Sequence, residues 1–513
     1  MNYSRITEDR RRAISLQCRL IVKQLKRIST RLISKVLGVS SRGETQMGLL
    51  IKDGEIVTAE SRRKVDVYIE DETIARIEGN ISAPPGTEII DARGKLIFPG
   101  FIDPHVHIHL PFMSTFAKDT HATASVAALV GGTTTFIEMC CPSRNEDAME
   151  GYRTWKQKAE GNSACDYAFH MAITRYDART EAQLREIVRD GTTSFKVFLA
   201  YKNFFGITDE ELYPTLKLAA ELGVITTAHC ENAELVSKLQ QALVAAGKTG
   251  PEWHEPSRPE SVEAEGTTRF ATFLQATDAV GYVVHLSCAP ALRAAVEARL
   301  RGVNIHIESV LPHFLLDKSF AEREGVEGMK HVMSPPLRDK RNQAALWSAL
   351  NTGVIDTVGT DHCPFDVEQK LLGKGDFTQI PNGIPGIEER VNLMYTCGVK
   401  RGLLDLHRFV DALSTRPARL FGLFPRKGTI AVGADADLVV YDTDYRGTVS
   451  VKSQHTNNDY NGFEGFELEG RPAVVTVRGR VQARDGVFCG TPGIGKFLRR
   501  EPLVVSGGGS SAG

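Results

Sequence analysis

The sequence predicts an α/β fold, a (β/α)₈ TIM-like barrel joined to a β-sandwich built from both flanks. Three observations carry this: eight apolar runs of strand length separated by stretches of helical spacing, polar residues recurring at the ends of those runs, and strand-like segments at both ends of the chain. The runs lie near 97–102, 133–138, 167–173, 193–198, 224–229, 281–285, 303–307 and 354–360. Between them, Thr208 to Leu222, Ala289 to Arg301 and Arg341 to Leu350 carry apolar residues at helical spacing with charged faces.

The first run leads into Asp103-Pro104-His105-Val106-His107. Side chains at i and i+2 leave a strand on one face, so two imidazoles there can converge on one metal ion. Lys196 stands inside the apolar run Thr193 to Leu199, where an ammonium is costly unless paired or neutralised. Two further runs end in His229 and His285, and the last ends in Asp361. Active sites of such barrels form at the C-terminal ends of the strands, so these residues are expected to share one mouth.

These residues and their order resemble the amidohydrolase superfamily, and within it the cyclic amidases comprising hydantoinases and dihydropyrimidinases. The resemblance covers about residues 48 to 490. It includes His109-Leu110-Pro111-Phe112-Met113, Lys196 to Lys202, Met333-Ser334-Pro335-Pro336-Leu337-Arg338 and Pro381-Asn382-Gly383-Ile384-Pro385. It implies two divalent metal ions, zinc in the first place with manganese or cobalt as substitutes. His105, His107 and Asp361 would hold one ion and His229 and His285 the other, with Lys196, carbamylated by carbon dioxide to N6-carboxylysine, bridging them. A bridging hydroxide would then attack a ring amide of a cyclic ureide: a 5-substituted hydantoin, a dihydropyrimidine or both.

The resemblance also assigns roles around the metals. Asp361 would shuttle the proton, and Tyr201 would donate a hydrogen bond to the developing oxyanion. The backbones at Ser334 and Asn382 would hold the imide edge, while Phe112, Phe198 and Phe205 would surround the ring substituent. His109 is expected either at the substrate entrance or as a hydrogen-bonded loop histidine. Allantoinase-like and dihydroorotase-like activities are the alternatives, although position 109 carries His where dihydroorotases place an Arg. A non-catalytic assembly protein resembling dihydropyrimidinase is a third, and the complete ligand set opposes it.

A chain of 513 residues with 42% hydrophobic residues can fill a barrel and a smaller module. The expected organisation is a basic extension at 1–46, sandwich segments at 47–98 and 421–490 around a barrel at 99–420, and a flexible tail at 491–513. No apolar run approaches a membrane span, and nothing points to nucleic acid. Nine cysteines without a Cys-x-x-Cys fit a reducing, cytoplasmic setting. The expected partners are a small cyclic ureide and further copies of the chain, as a homotetramer or dimer.

The first 46 residues hold 11 Lys and Arg against 3 Asp and Glu, leaving 51 against 60 in the remainder. Ile14, Ile21, Leu25, Ile28, Leu32 and Val36 recur at helical spacing among the basic residues, as in an amphipathic helix. The segment reads as a transit peptide, a membrane-surface helix or a partner-binding arm, or as sequence upstream of a start at Met47.

Overall fold

The computed structural model describes residues 48–202 and 204–503. The expected basic helix lies outside them. Eight parallel strands run in chain order around the barrel: β1 Phe101–Val106, β2 Thr133–Cys140, β3 Asp166–Ala172, β4 Ser194–Phe198, β5 Ile225–His229, β6 Gly281–Val283, β7 Ile305–Val310 and β8 Thr357–Gly359. Their residues are buried almost throughout, which explains continuous apolar runs in place of alternation. The helices between them follow local signals. Asp209–Leu222 starts at a Thr208/Glu211 capping box and stops at Gly223, whose φ of 65° suits glycine.

The seam between β8 and β1 is closed by polar bonds. Thr360 Oγ1 donates to Asp103 Oδ2 at 2.6 Å, and the Asp361 amide donates to the His105 carbonyl at 3.0 Å. Beyond it the His107 amide donates to the His362 carbonyl at 2.8 Å. Asp103, the first residue of the opening motif, is thus structural: it also accepts from the His105 amide. Burial raises its pKa, against the pull of Arg390.

The first apolar run departs from expectation. Its beginning, Leu96–Pro99, belongs to the sandwich, pairing with Leu438–Tyr441, and the barrel strand begins only at Phe101. Gly100 makes the switch. A Cβ there would lie 2.1 Å from Thr134 Oγ1, so only glycine lets the chain pass between the two layers.

Both flanks do pair into one β-structure. Leu96–Pro99 sits between Leu438–Thr448 and Glu55–Val57 in a seven-stranded sheet. A four-stranded sheet centred on Leu49–Lys52 faces a shared apolar core that includes Ile51, Ile56, Val67, Ile97 and Leu438. The expectation of a flexible tail fails as far as Leu503. The Leu498 amide donates to the Tyr167 carbonyl at 2.8 Å, and the buried Arg500 donates to Ser194 Oγ at 2.8 Å and to the Phe169 carbonyl. The tail is held by the N-terminal end of the barrel, a long-range partner that its own composition does not reveal. Among the described residues no helix is long and apolar enough to cross a membrane.

Candidate active site

The polar strand ends meet at one mouth. His105 and His107 end β1 so that both Nε2 atoms approach the same oxygen, Asp361 Oδ1, at 3.2 and 3.1 Å. One ligand atom from each of these three residues lies within 4.8 Å of the others, a spacing that suits a single cation. His105 Nδ1 is 2.7 Å from Glu308 Oε1, which fixes the tautomer and leaves the Nε2 lone pair facing the site. Burial would raise the Asp361 carboxyl, but His105 and His107 hold it below its ordinary value.

A second pair sits beside the first. His229 Nδ1 and His285 Nε2 are 2.9 Å apart, while His229 Nε2 is 2.7 Å from Glu231 Oε2. With the Nε2 proton committed to Glu231, His229 offers a lone pair at Nδ1, and a cation between the two rings would satisfy both nitrogens. Burial opposes ionisation of Glu231, but Arg258, 2.5 Å away, and His229 bring its pKa to about 2. Burial also depresses His229, and drives His105 and His285 well below the ordinary histidine range, so the neutral, ligating form is favoured.

Lys196 lies on β4, fully buried, and among the described residues its Nζ has no hydrogen-bond partner. Burial lowers its pKa to about 8. An orphaned nitrogen among imidazoles and a carboxylate fits a group that acquires negative charge and a ligand function.

All of the expected site residues except His105, which is completely enclosed, line one cleft of about 410 Å³. Phe112 meets the Tyr201 ring edge-on at 5.4 Å and stacks on Phe205 at 6.0 Å, and Phe198 stacks on Phe205 at 5.3 Å. On the polar side Asn382 Nδ2 donates to Ser334 Oγ at 2.9 Å. Tyr201 is half-buried, and the desolvation of its phenol raises its pKa and keeps it protonated as a donor. His109 is not among the lining residues; it packs on Phe116 at 5.3 Å between ring centroids.

A family profile described as Amidohydrolase family matches residues 96–481. D-hydantoinase from Geobacillus stearothermophilus is 44% identical over 456 residues, spanning 88% of this chain and 97% of the relative. Dihydropyrimidinase from Rattus norvegicus is 38% identical over 467 residues, spanning 90% of each. The chain belongs to the amidohydrolase family, in its hydantoinase and dihydropyrimidinase branch. A solved D-hydantoinase (dihydropyrimidinase) from Thermus sp. superposes with a TM-score of 0.88 at 74% identity, covering 88% of this chain and 99% of that one.

In this amidohydrolase the residues overlooked in the sequence are the acids behind the histidines. Glu308 lies in β7, and besides His105 it accepts from the His285 amide at 3.0 Å and from the Tyr282 hydroxyl at 2.8 Å. Burial pushes its pKa up to about 7. The expected strand stopped at residue 307, one short of it, although the rule of a polar residue ending an apolar run applies there equally. Glu231 repeats the i, i+2 spacing of His105 and His107 relative to His229.

Proposed function

We propose that this cyclic-amide hydrolase opens the ring of 5-substituted hydantoins and dihydropyrimidines, giving N-carbamoyl amino acids. Two divalent cations, zinc in the first place and manganese or cobalt as substitutes, fit the donor set. His105, His107 and Asp361 would hold one, His229 and His285 the other, with Lys196 as an N6-carboxylysine bridge formed from carbon dioxide. When bound, such a pair supplies a water acidic enough to ionise near neutral pH and polarises the amide carbonyl.

The chain's own residues do the rest. Asp361 receives the proton of the attacking water at a carboxylate oxygen and returns it to the departing ring nitrogen. Tyr201 donates its hydroxyl proton in a hydrogen bond to the carbonyl oxygen as negative charge develops there. The backbones at Ser334 and Asn382 hold the imide edge, and Phe112, Phe198 and Phe205 take the substituent. The protein would act as a cytoplasmic homotetramer, its cysteines unpaired among the described residues.

One observation carries this reading: the buried Lys196 nitrogen, without a hydrogen-bond partner among the described residues, shares a cleft with His107, Asp361, His229 and His285 and an aromatic wall. The test is turnover of dihydrouracil, 5-phenylhydantoin, allantoin and dihydroorotate by purified protein, with metal analysis and light scattering on the same sample. Ring opening of the first pair, with two metal equivalents per chain, is expected. Turnover confined to allantoin or dihydroorotate in metal-loaded protein would refute it.

A further inference from the structure

Lys370 is the only residue of its short helix that is buried, and its side chain is fully enclosed. Its Nζ donates to three backbone carbonyls: Val332 at 2.9 Å, Pro381 at 2.7 Å and Gly383 at 2.7 Å. An ammonium has three N–H donors and no acceptor, so this cage saturates it. A neutral amine could donate to only two of the three. Burial draws the pKa of Lys370 down to about 7, whereas the three acceptors call for the charged form.

The carbonyls come from two loops that are distant in sequence and adjacent in space. Ser334 follows Val332 by two residues, and Asn382 stands between Pro381 and Gly383. The loops also touch directly, through the Gly383 amide on the Val332 carbonyl at 3.0 Å and Asn382 Nδ2 on Ser334 Oγ at 2.9 Å. Gly383 has φ 149°, and a Cβ there would lie 2.4 Å from the Cys363 carbonyl, so the second loop is pressed against the strand-8 exit. The helix that carries Lys370 is itself fastened: an Asp366/Gln369 capping box opens it, and Gln369 Nε2 donates to Thr115 Oγ1 at 2.6 Å and to the Phe116 carbonyl at 2.8 Å.

We infer that Lys370 is a positioning residue for substrate, its ammonium setting the spacing between the Ser334 and Asn382 backbones that grip the ring's imide edge. The inference rests on the reading of those two residues given above. A hydrocarbon side chain would fill the same space without burying a charge, but it would take the donor away from buried carbonyls, so some stability should be lost along with the brace. What the hydrocarbon cannot do is hold three carbonyls at fixed distances. Among the described residues Lys370 hydrogen-bonds only to the Val332, Pro381 and Gly383 carbonyls and to no metal-ligand residue, so its effect should fall on binding.

The experiment compares wild type, Lys370→Met and Lys370→Gln for kcat and KM on dihydrouracil, metal content, and amide hydrogen exchange across residues 332–336 and 381–385. Lys370→Met should raise KM about tenfold or more while kcat stays within about threefold, the pattern of lost ground-state and transition-state binding alike. Metal content should be unchanged, exchange should quicken in both loops, and Lys370→Gln, with two N–H donors left, should fall between. An unchanged KM, or loss of metal and kcat with KM intact, overturns the inference. If wild type opens no ring, the reading of Ser334 and Asn382 fails, and unchanged exchange in the two loops would separately overturn the brace.

Discussion

Phe112→Ala probes substrate choice most directly. Phe112 is 6% exposed and lies in contact with Tyr201 and Phe205, so it forms part of the wall of the cleft and not its surface. Fully burying a phenyl substituent is worth roughly 1.5–3 kcal/mol. Phe198 and Phe205 remain in the variant, so about half of that, about 0.75–1.5 kcal/mol, should be lost for an aryl hydantoin. At about 1.4 kcal/mol per factor of ten, kcat/KM for 5-phenylhydantoin should drop roughly 3- to 12-fold. Dihydrouracil has no substituent to lose contact, and its kcat/KM should hold, which also checks that Tyr201 has not moved. Dihydroorotate should be a poor substrate of the wild type, because its carboxylate would be desolvated while the nearby Arg258 guanidinium is already committed to Glu231. An unchanged ratio between the two rings, or efficient cleavage of dihydroorotate, would refute the apolar-wall argument.

Lys196→Ala should lose bound metal and turnover together, with partial rescue by a short carboxylic acid plus added metal; a variant retaining two metals and normal rates would exclude the bridge. Asp361→Asn keeps an oxygen donor but not the proton acceptor, so kcat should fall about 10²–10⁴-fold with metal content confirmed. Lys427 is buried between Asp166 at 2.6 Å and Asp437 at 2.7 Å, and Lys427→Met leaves the buried Asp437 carboxylate without its cation while Asp166 keeps Arg478, costing about 3–5 kcal/mol in denaturant unfolding. The Glu388 hydrogen bond raises the pKa of His455, so the pair stabilises fully below the unfolded histidine value of about 6.5 and is lost as pH rises through the folded value. Wild type should therefore exceed His455→Gln by about 0.5–1 kcal/mol near pH 6, a gap that closes at alkaline pH.

The barrel was legible because its strands are buried on both faces and so read as unbroken apolar runs, and because ligand-type residues stand out against such runs. Lys196 is the clearest instance, an ammonium with no apolar reason to be there. Boundaries were less legible where two layers share one run: Leu96 to Ile102 reads as a single strand, and only the crowding around Gly100 divides it. The orienting acids were hidden for a different reason. Glu308 meets His105 across 203 residues of chain, and a carboxylate at a strand end looks the same in sequence whether it binds metal, caps a helix or holds an imidazole. The docked tail was misjudged because Arg500 is satisfied by Ser194 and Phe169, partners that no local pattern names.

What sequence could not show at all is where the backbone departs from its preferred conformations. Tyr201, His285 and Asp361 have φ of 56°, 40° and 52°, in the left-handed region that costs a residue with a side chain about 1–3 kcal/mol. Asp53, Asp71, Asp278 and Asp485 also have positive φ, but these are aspartates in or near turns, where that conformation is tolerated. At the barrel mouth local bonding holds the conformation instead. The His285 amide is held by Glu308 Oε1, the Asp361 amide by the His105 carbonyl, and the Tyr201 carbonyl accepts from the amides of Phe204, Phe205 and Gly206. A strand continuing in regular geometry would send its next side chain to the opposite face; a left-handed step at the exit instead turns the chain while the side chain stays in the mouth. Glycine would relieve each of these three positions and remove the imidazole, the phenol or the carboxylate. Backbone preference and chemistry therefore pull in opposite directions at three separate exits, and at each one the residue present is the one the proposed reaction calls for.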